Sequence, residues 1–160
     1  MQVIGSEGTA VTLDLIGYEF PGAKVSGPYF DCDANWLRVR GRVSDGDRQW
    51  SFDHPCLVTI EAAELNSWLR AVVSGEIGTG TGIGADETWF VEPNLSVRLD
   101  ARAGTTATLT WSFAQESAPP GAPDEVRYGD GHPVTTTVPL DELSAAVDDW
   151  ELQVRQFPRR

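Results

Sequence analysis

The sequence has few residues of the kinds that support metal-dependent or nucleophilic chemistry. Two cysteines, two histidines and one methionine occur among 160 residues. A zinc site needs three or four ligands, usually Cys or His at short spacing, and no Cys-x-x-Cys pair is present. We therefore expect no metal or other cofactor, and we interpret Cys32 and Cys56 as two small buried thiols rather than a disulfide or a metal site.

Long apolar runs are also missing. No segment approaches the roughly 20 apolar residues that a membrane-spanning helix needs. The first residues carry neither the basic nor the apolar region of a signal peptide, which favours a cytoplasmic protein without a membrane partner. Hydrophobic residues make up 41% of the chain and charged residues 22%, as in ordinary globular proteins. This size and composition predict a single domain over residues 1–160.

Positive charge is scarce. Twelve Lys and Arg face 24 Asp and Glu, giving a net charge of −12 and a pI of about 4.4. Such a chain repels nucleic acid directly and attracts a basic partner, although acidity that merely maintains solubility is an equal alternative. The basic row Arg38, Arg40 and Arg42 is expected to pair with acids of neighbouring strands.

Alternating apolar and polar residues predict an antiparallel sheet. The pattern is clearest at 10–16 and in a hairpin over 35–53, whose turn contains Gly46. We predict further strands at 56–59, 87–92, 94–100, 105–113 and 134–138. The six tryptophans, Trp89 included, are expected in the core.

Two segments have helical periodicity instead. Leu65, Trp68, Leu69 and Val72 form one apolar stripe over 60–73, which Gly75 and Gly78 should end. A second helix should begin after Pro139 and end at Pro158. The predicted fold is α+β: an antiparallel sheet, meander or sandwich-like, with two amphipathic helices packed on one side. The glycine-rich loop 74–86 is expected to be flexible, and the Pro/Gly-rich loop 115–133 exposed and mobile.

No motif predicts catalysis. The glycines over 78–84 follow a helix and precede a strand, the reverse of a phosphate-binding loop. His54 and Cys56 are close enough in sequence for a small hydrolase to be a weak alternative. Cys56, however, opens an apolar run and is expected to be buried and inert.

Several segments, Gly17–Pro21, Asp33–Leu37, Pro55–Leu57 and Phe90–Leu95 among them, resemble the WapI-type immunity proteins of bacterial polymorphic toxin systems. The resemblance is collinear over most of the chain. It implies a small cytoplasmic protein that neutralises a cognate toxin, often a nuclease, by stoichiometric binding and without enzymatic activity. An alternative is a non-catalytic module that binds another protein or a ligand, such as a sugar, through an exposed tryptophan.

Two sets of residues are candidates for a role. The segments that carry the resemblance contain residues that we expect to cap strand ends and tie turns together: Asp33, Asn35, Trp36, Glu92, Pro93 and Asn94. For contact with a basic toxin domain, exposed acids of the loops or of the second helix are more plausible, such as Asp141, Asp148 and Asp149, and the sequence does not choose among them.

Overall fold

A computed structural model describes residues 1–5, 8–23, 25, 30–77 and 86–160. These residues form eight strands, four α-helices and one 3₁₀ turn over Gln115–Ser117. The strands are β1 (Gln2–Ile4), β2 (Ala10–Tyr18), β3 (Trp36–Asp45), β4 (Arg48–Val58), β5 (Glu87–Thr88), β6 (Leu95–Ala103), β7 (Thr106–Phe113) and β8 (His132–Pro139). The helices are α1 (Cys32–Asn35), α2 (Thr59–Ser74), α3 (Asp124–Arg127) and α4 (Leu140–Val154).

The strands make two four-stranded antiparallel sheets, each in sequence order: β1-β2-β3-β4 and β5-β6-β7-β8. The predicted α+β class with antiparallel pairing is therefore confirmed. In the first sheet, Leu37 pairs with Leu57 and Arg38 with Pro55, so Cys56 is the extra residue of a β-bulge. The bulge changes the alternation of β4, and Cys56 and Leu57 are both buried.

One hydrophobic core joins the two sheets and the two long helices. Phe113 of β7 packs edge-on against Trp50 of β4, with ring centroids 5.6 Å apart. Trp150 of α4 is fully buried and donates a hydrogen bond from Nε1 to the Ala62 carbonyl of α2 over 2.9 Å. The aromatic side chains thus connect the sheets to each other and the helices to each other.

The arginine row on β3 pairs with acids, as predicted. Arg38 and Arg40 both contact the carboxylate of Asp53 on β4, at 2.6 and 3.1 Å. Arg42 contacts Asp14 on β2 at 3.1 Å. These cross-strand ion pairs occupy the exposed face of the first sheet, so the row is not a free basic surface.

Several boundaries differ from the predictions. The strand expected at 56–59 is the end of β4, and α2 begins at Thr59. The strand expected at 87–92 covers Glu87–Thr88, and Trp89, predicted to be in the core, is 75% exposed. The second helix begins after Pro139 as predicted but ends at Val154, before Pro158.

The two predicted loops have different outcomes. Residues 78–85, most of the glycine-rich loop, lie outside the described part of the chain. Gly75, in the left-handed conformation with φ 81°, ends α2 as predicted. The prediction that loop 115–133 is exposed throughout is wrong, because Ser117 and Ala118 are buried and Asp124–Arg127 forms a short helix.

Candidate functional site

The segments that carry the family resemblance meet at one cleft of about 410 Å³. Of the six residues singled out there, Asp33, Trp36, Glu92 and Asn94 line this cleft. The other lining residues come from the end of β2, from β4 and from the 3₁₀ turn: Glu19, Phe20, His54, Pro55, Gln115 and Glu116. Residues distant in sequence therefore form a single concave surface.

Buried hydrogen bonds to the 3₁₀ turn fix two sides of the cleft, namely the segment that contains Asn94 and strand β4. The Ser117 hydroxyl lies within hydrogen-bond distance of the backbone carbonyls of Asn94 and Ala114 and shares its one proton between them. Trp50 Nε1 donates to the Ser117 carbonyl over 2.8 Å, which joins β4 to the turn. Gln115 has φ 48°, an unusual conformation for a residue with a side chain, and its carbonyl accepts a hydrogen bond from Arg127.

Glu61 fixes the segment that carries Glu92. Its carboxylate accepts hydrogen bonds from the backbone N–H of Val58 at 2.9 Å and of Val91 at 2.5 Å. The first bond caps the start of α2, where Val58 has no side-chain oxygen to do so. Burial raises the pKa of Glu61 above its ordinary value, and the two backbone hydrogen bonds oppose that shift.

A third wall depends on Asn35, which is fully buried behind the cleft. Its amide donates to the Asp31 carbonyl at 2.8 Å and accepts from the Thr59 hydroxyl at 2.9 Å. The same oxygen accepts from the Arg160 backbone N–H at 2.9 Å. Asn35 therefore joins α1, the start of α2 and residue 160.

The cleft is acidic and rich in hydrogen-bond acceptors. Its described lining contains four carboxylates and one histidine but no Lys or Arg. Asp33, Glu92 and Glu116 form no hydrogen bond or ion pair with the described part of the chain. Glu19 is 3.6 Å from Arg38, yet its buried Oε2 accepts no hydrogen bond from any described residue.

Asn94 adds a buried acceptor. The residue is 3% exposed, and its Oδ1 has no hydrogen-bond partner among the described residues. The Nδ2 atom contacts the Cys56 sulfur at 3.9 Å. An unpaired buried carbonyl oxygen costs about 1–3 kcal/mol, so a donor supplied from outside the chain would remove a penalty.

The acids predicted on the second helix are mostly engaged within the chain. Asp148 pairs with Arg70 of α2 at 2.9 Å, and Asp149 lies 2.6 Å from the Met1 amino nitrogen. The latter contact lowers the pKa of Asp149. Asp141 accepts a hydrogen bond from the backbone N–H of Glu142 in the first turn of α4. The structure does not bring these three acids to the cleft.

His54 and Cys56 do not form a nucleophilic pair in this structure. Cys56 is fully buried, and burial raises the pKa of its thiol to about 12. The Cys56 sulfur contacts Asn94 Nδ2, whereas the His54 ring lines the cleft without a hydrogen bond to any described residue. At neutral pH Cys56 is therefore a protonated, inaccessible thiol.

Exposed apolar side chains flank the cleft. The segment that supplies Glu92 and Asn94 also carries Trp89 and Val91, which are 75% and 67% exposed. Pro93 and Trp89 line a neighbouring groove of about 300 Å³. Exposed aromatic residues of this kind are enriched at the centres of protein interfaces.

Sequence reasoning did not find Glu19, Phe20, Gln115 or Glu116 as parts of the site. Glu19 and Phe20 lie in the segment Gly17–Pro21, which carries part of the resemblance, whereas Gln115 and Glu116 come from a different stretch of chain. None of the four is in a local pattern that indicates binding. Their convergence depends on the pairing of β2 with β3 and on the buried 3₁₀ turn. Pairing registers of this kind are not visible in residue spacing.

No helix in the described part of the chain is both long and apolar enough to cross a bilayer. Comparisons with curated protein sequences and with solved structures found no match. A protein-family model, that of the WapI-like immunity proteins, does match, and it covers residues 2–158. This match confirms the resemblance seen in the sequence: the chain belongs to the immunity protein WapI-like family and has the role of an immunity protein in a toxin system.

Proposed function

We propose that this protein neutralises a cognate toxin domain in the cytoplasm by stoichiometric, non-catalytic binding, and that the toxin is a nuclease. The family match over residues 2–158 is the observation that carries the proposal. The net charge of −12 supports the nuclease assignment, because a nuclease binds a polyanion through a basic surface. An acidic protein can occupy that surface and is steered to it over long range.

The environments of Cys56 and His132 support a non-catalytic role. Cys56 has a pKa of about 12 and no access to solvent. His132 is held between Asp45, at 2.9 Å, and the edge of the Trp50 ring. Inhibition by occupation of a surface needs none of these groups as a nucleophile or base.

The direct test uses the toxin domain encoded immediately upstream of this gene. Cells that express the toxin alone should die, and co-expression of this protein should restore growth. In vitro, nuclease activity should fall linearly and reach zero at one equivalent of this protein, and calorimetry should give a stoichiometry of one. Undiminished lethality would rule out neutralisation of that toxin, and inhibition far below one equivalent would indicate catalysis.

The exposure of Trp89 favours a second candidate, a module that binds sugars or another ligand through an exposed tryptophan. Sugars stack on such rings, so binding should change the fluorescence of the wild-type protein and not of a Trp89→Ala variant. A panel of mono- and oligosaccharides tests this directly. Absence of any saturable response in the millimolar range, together with tight toxin binding, would decide in favour of the immunity role.

A further inference from the structure

The acidic cleft is more specific than a general negative surface. Acidity is spread over the molecule, yet several acids elsewhere are neutralised by arginines: Asp14, Asp53, Asp100, Asp148 and Glu151. In the cleft, Asp33, Glu92 and Glu116 lack such partners among the described residues. The cleft therefore retains negative charge that the fold does not use.

One acceptor atom in the cleft lining is buried without any polar partner among the described residues, namely Oδ1 of Asn94. Oε2 of Glu19 also accepts no hydrogen bond from a described residue, but it lies 3.6 Å from Arg38 Nη1 in an ion pair. Asn94 is 3% exposed, so water does not freely hydrogen-bond to its oxygen. The unpaired oxygen favours a ligand that donates a hydrogen bond, and the unpaired carboxylates of the same lining favour a positively charged one.

The arrangement does not fit a bare metal ion. Within the described residues, no three Asp, Glu, His or Cys side chains are close enough to hold one. The carboxylates are distributed around the cleft rather than gathered at one point. Phe20 and Trp36 provide aromatic surface in the same lining, which suits a flat cation that can stack on a ring.

We propose that the cleft receives an arginine side chain of the toxin. A guanidinium group is planar, always charged, and presents five N–H donors to acceptors in different directions. Glu92, Glu116 and Asp33 supply the countercharge, and Asn94 Oδ1 accepts one of the donated hydrogen bonds. Trp89 and Val91 contact the toxin surface around that arginine and exclude water from it. This inference rests on the proposed function and names the part of the surface that performs it.

The first test compares two double variants in binding to the purified toxin domain. Glu92→Gln/Glu116→Gln removes two cleft charges, and Glu64→Gln/Glu76→Gln removes two exposed charges elsewhere. The cleft variant should raise Kd by about tenfold or more, mainly through faster dissociation, as expected for a desolvated charge pair. The control should change Kd by less than about threefold, through slower association. Equal Kd values for the two variants would overturn the proposal.

The second test separates binding from folding. Asn94→Leu replaces a buried amide by an apolar side chain of similar size. Because Oδ1 of that amide is unpaired and its Nδ2 makes only the long contact with the Cys56 sulfur, the free energy of unfolding should not fall. Affinity for the toxin should nevertheless fall about tenfold, since the guanidinium loses an acceptor. Reduced thermal stability with unchanged affinity would show that Asn94 has a structural role instead.

The third test identifies the partner group by double-mutant cycles between Glu92→Gln and each arginine and lysine of the toxin surface. One toxin arginine should couple to Glu92, and the coupling should be lost when that arginine is replaced by lysine. Coupling to a lysine would overturn the guanidinium assignment. If the wild-type protein neither binds the toxin nor protects cells from it, the proposed function itself is wrong. If the wild-type protein binds the toxin and the cleft variants bind it equally well, only the assignment of the cleft is wrong.

Discussion

The two cysteines lie in opposite environments, and this difference determines how each thiol reacts. Cys32 is exposed at the start of α1, whereas Cys56 occupies the bulge of β4 with no exposed surface. Burial raises the pKa of the Cys56 thiol to about 12, so its thiolate is scarcely populated at pH 8. The prediction of two buried thiols is therefore confirmed for Cys56 and wrong for Cys32, because residue spacing does not reveal which cysteine lies in a bulge of the sheet.

We expect one thiol to react with a disulfide reagent at pH 8 in the native protein and two in denaturant. The native reaction should disappear in Cys32→Ser and remain in Cys56→Ser. Counting released chromophore per chain provides the measurement. Two reactive thiols in the native wild type would contradict the burial of Cys56.

Asn35 connects three parts of the chain through one side chain. Its amide bonds to Asp31, to the Thr59 hydroxyl and to the Arg160 backbone. Asn35→Ala should lower the free energy of unfolding by about 2–4 kcal/mol, because several buried partners lose their hydrogen bonds. The exposed neighbour offers a control: Asp33→Ala should change stability by no more than about 0.5 kcal/mol. Urea denaturation of both variants measures the contrast, and similar losses would contradict it.

At the scale of elements, Glu61 connects the start of α2 to the segment beside the cleft. The folded-state pKa of Glu61 is raised by burial, so the folded chain retains its proton at a pH where the unfolded chain has lost it. The contribution of Glu61 to stability is therefore complete below the ordinary glutamate pKa and decreases as pH rises through the folded-state pKa.

Glu61→Gln provides the test, since glutamine does not titrate. The variant should be less stable than the wild type by about 1 kcal/mol, because one backbone N–H loses its acceptor. That difference should be greatest near pH 4 and should narrow as pH rises. Unfolding measured from pH 4 to 8 in both proteins isolates the contribution of Glu61, and a difference that widens with pH would contradict the direction of the pKa shift.

The regular elements were predictable and the irregular ones were not. Alternation in β3 and β7 and the stripe of α2 directly reflect which face is buried, so their positions follow from residue type. Trp89 was misplaced because the strand that would have buried it ends at Thr88. The 3₁₀ turn was missed because its burial depends on Trp50, a residue of the other sheet. Asp33, Trp36, Glu92 and Asn94 were singled out in the sequence and do line the cleft, but the cleft also needs the 3₁₀ turn, so it was not predictable as one surface.

At the scale of the whole molecule, the net charge of −12 acts over distances that single ion pairs do not reach. Association with a basic toxin domain should therefore slow about tenfold or more between 20 and 500 mM NaCl. Dissociation should change much less, because a desolvated contact is weakly screened. Stopped-flow association and dissociation rates at both salt concentrations test this, and a salt-independent association rate would contradict steering by charge.

The distribution of the tryptophans has a spectroscopic consequence. Trp111 and Trp150 are fully buried in the core. Their fluorescence emission therefore reports whether the chain is folded and does not change when a partner binds at the surface. Trp89 is open to water beside the cleft, so its emission is red-shifted and accessible to a soluble quencher. A toxin domain that docks at this edge would shift that component to the blue and shield it, while docking on α4 would leave it unchanged. The protein thus carries an intrinsic, label-free indicator of which of its faces is occupied.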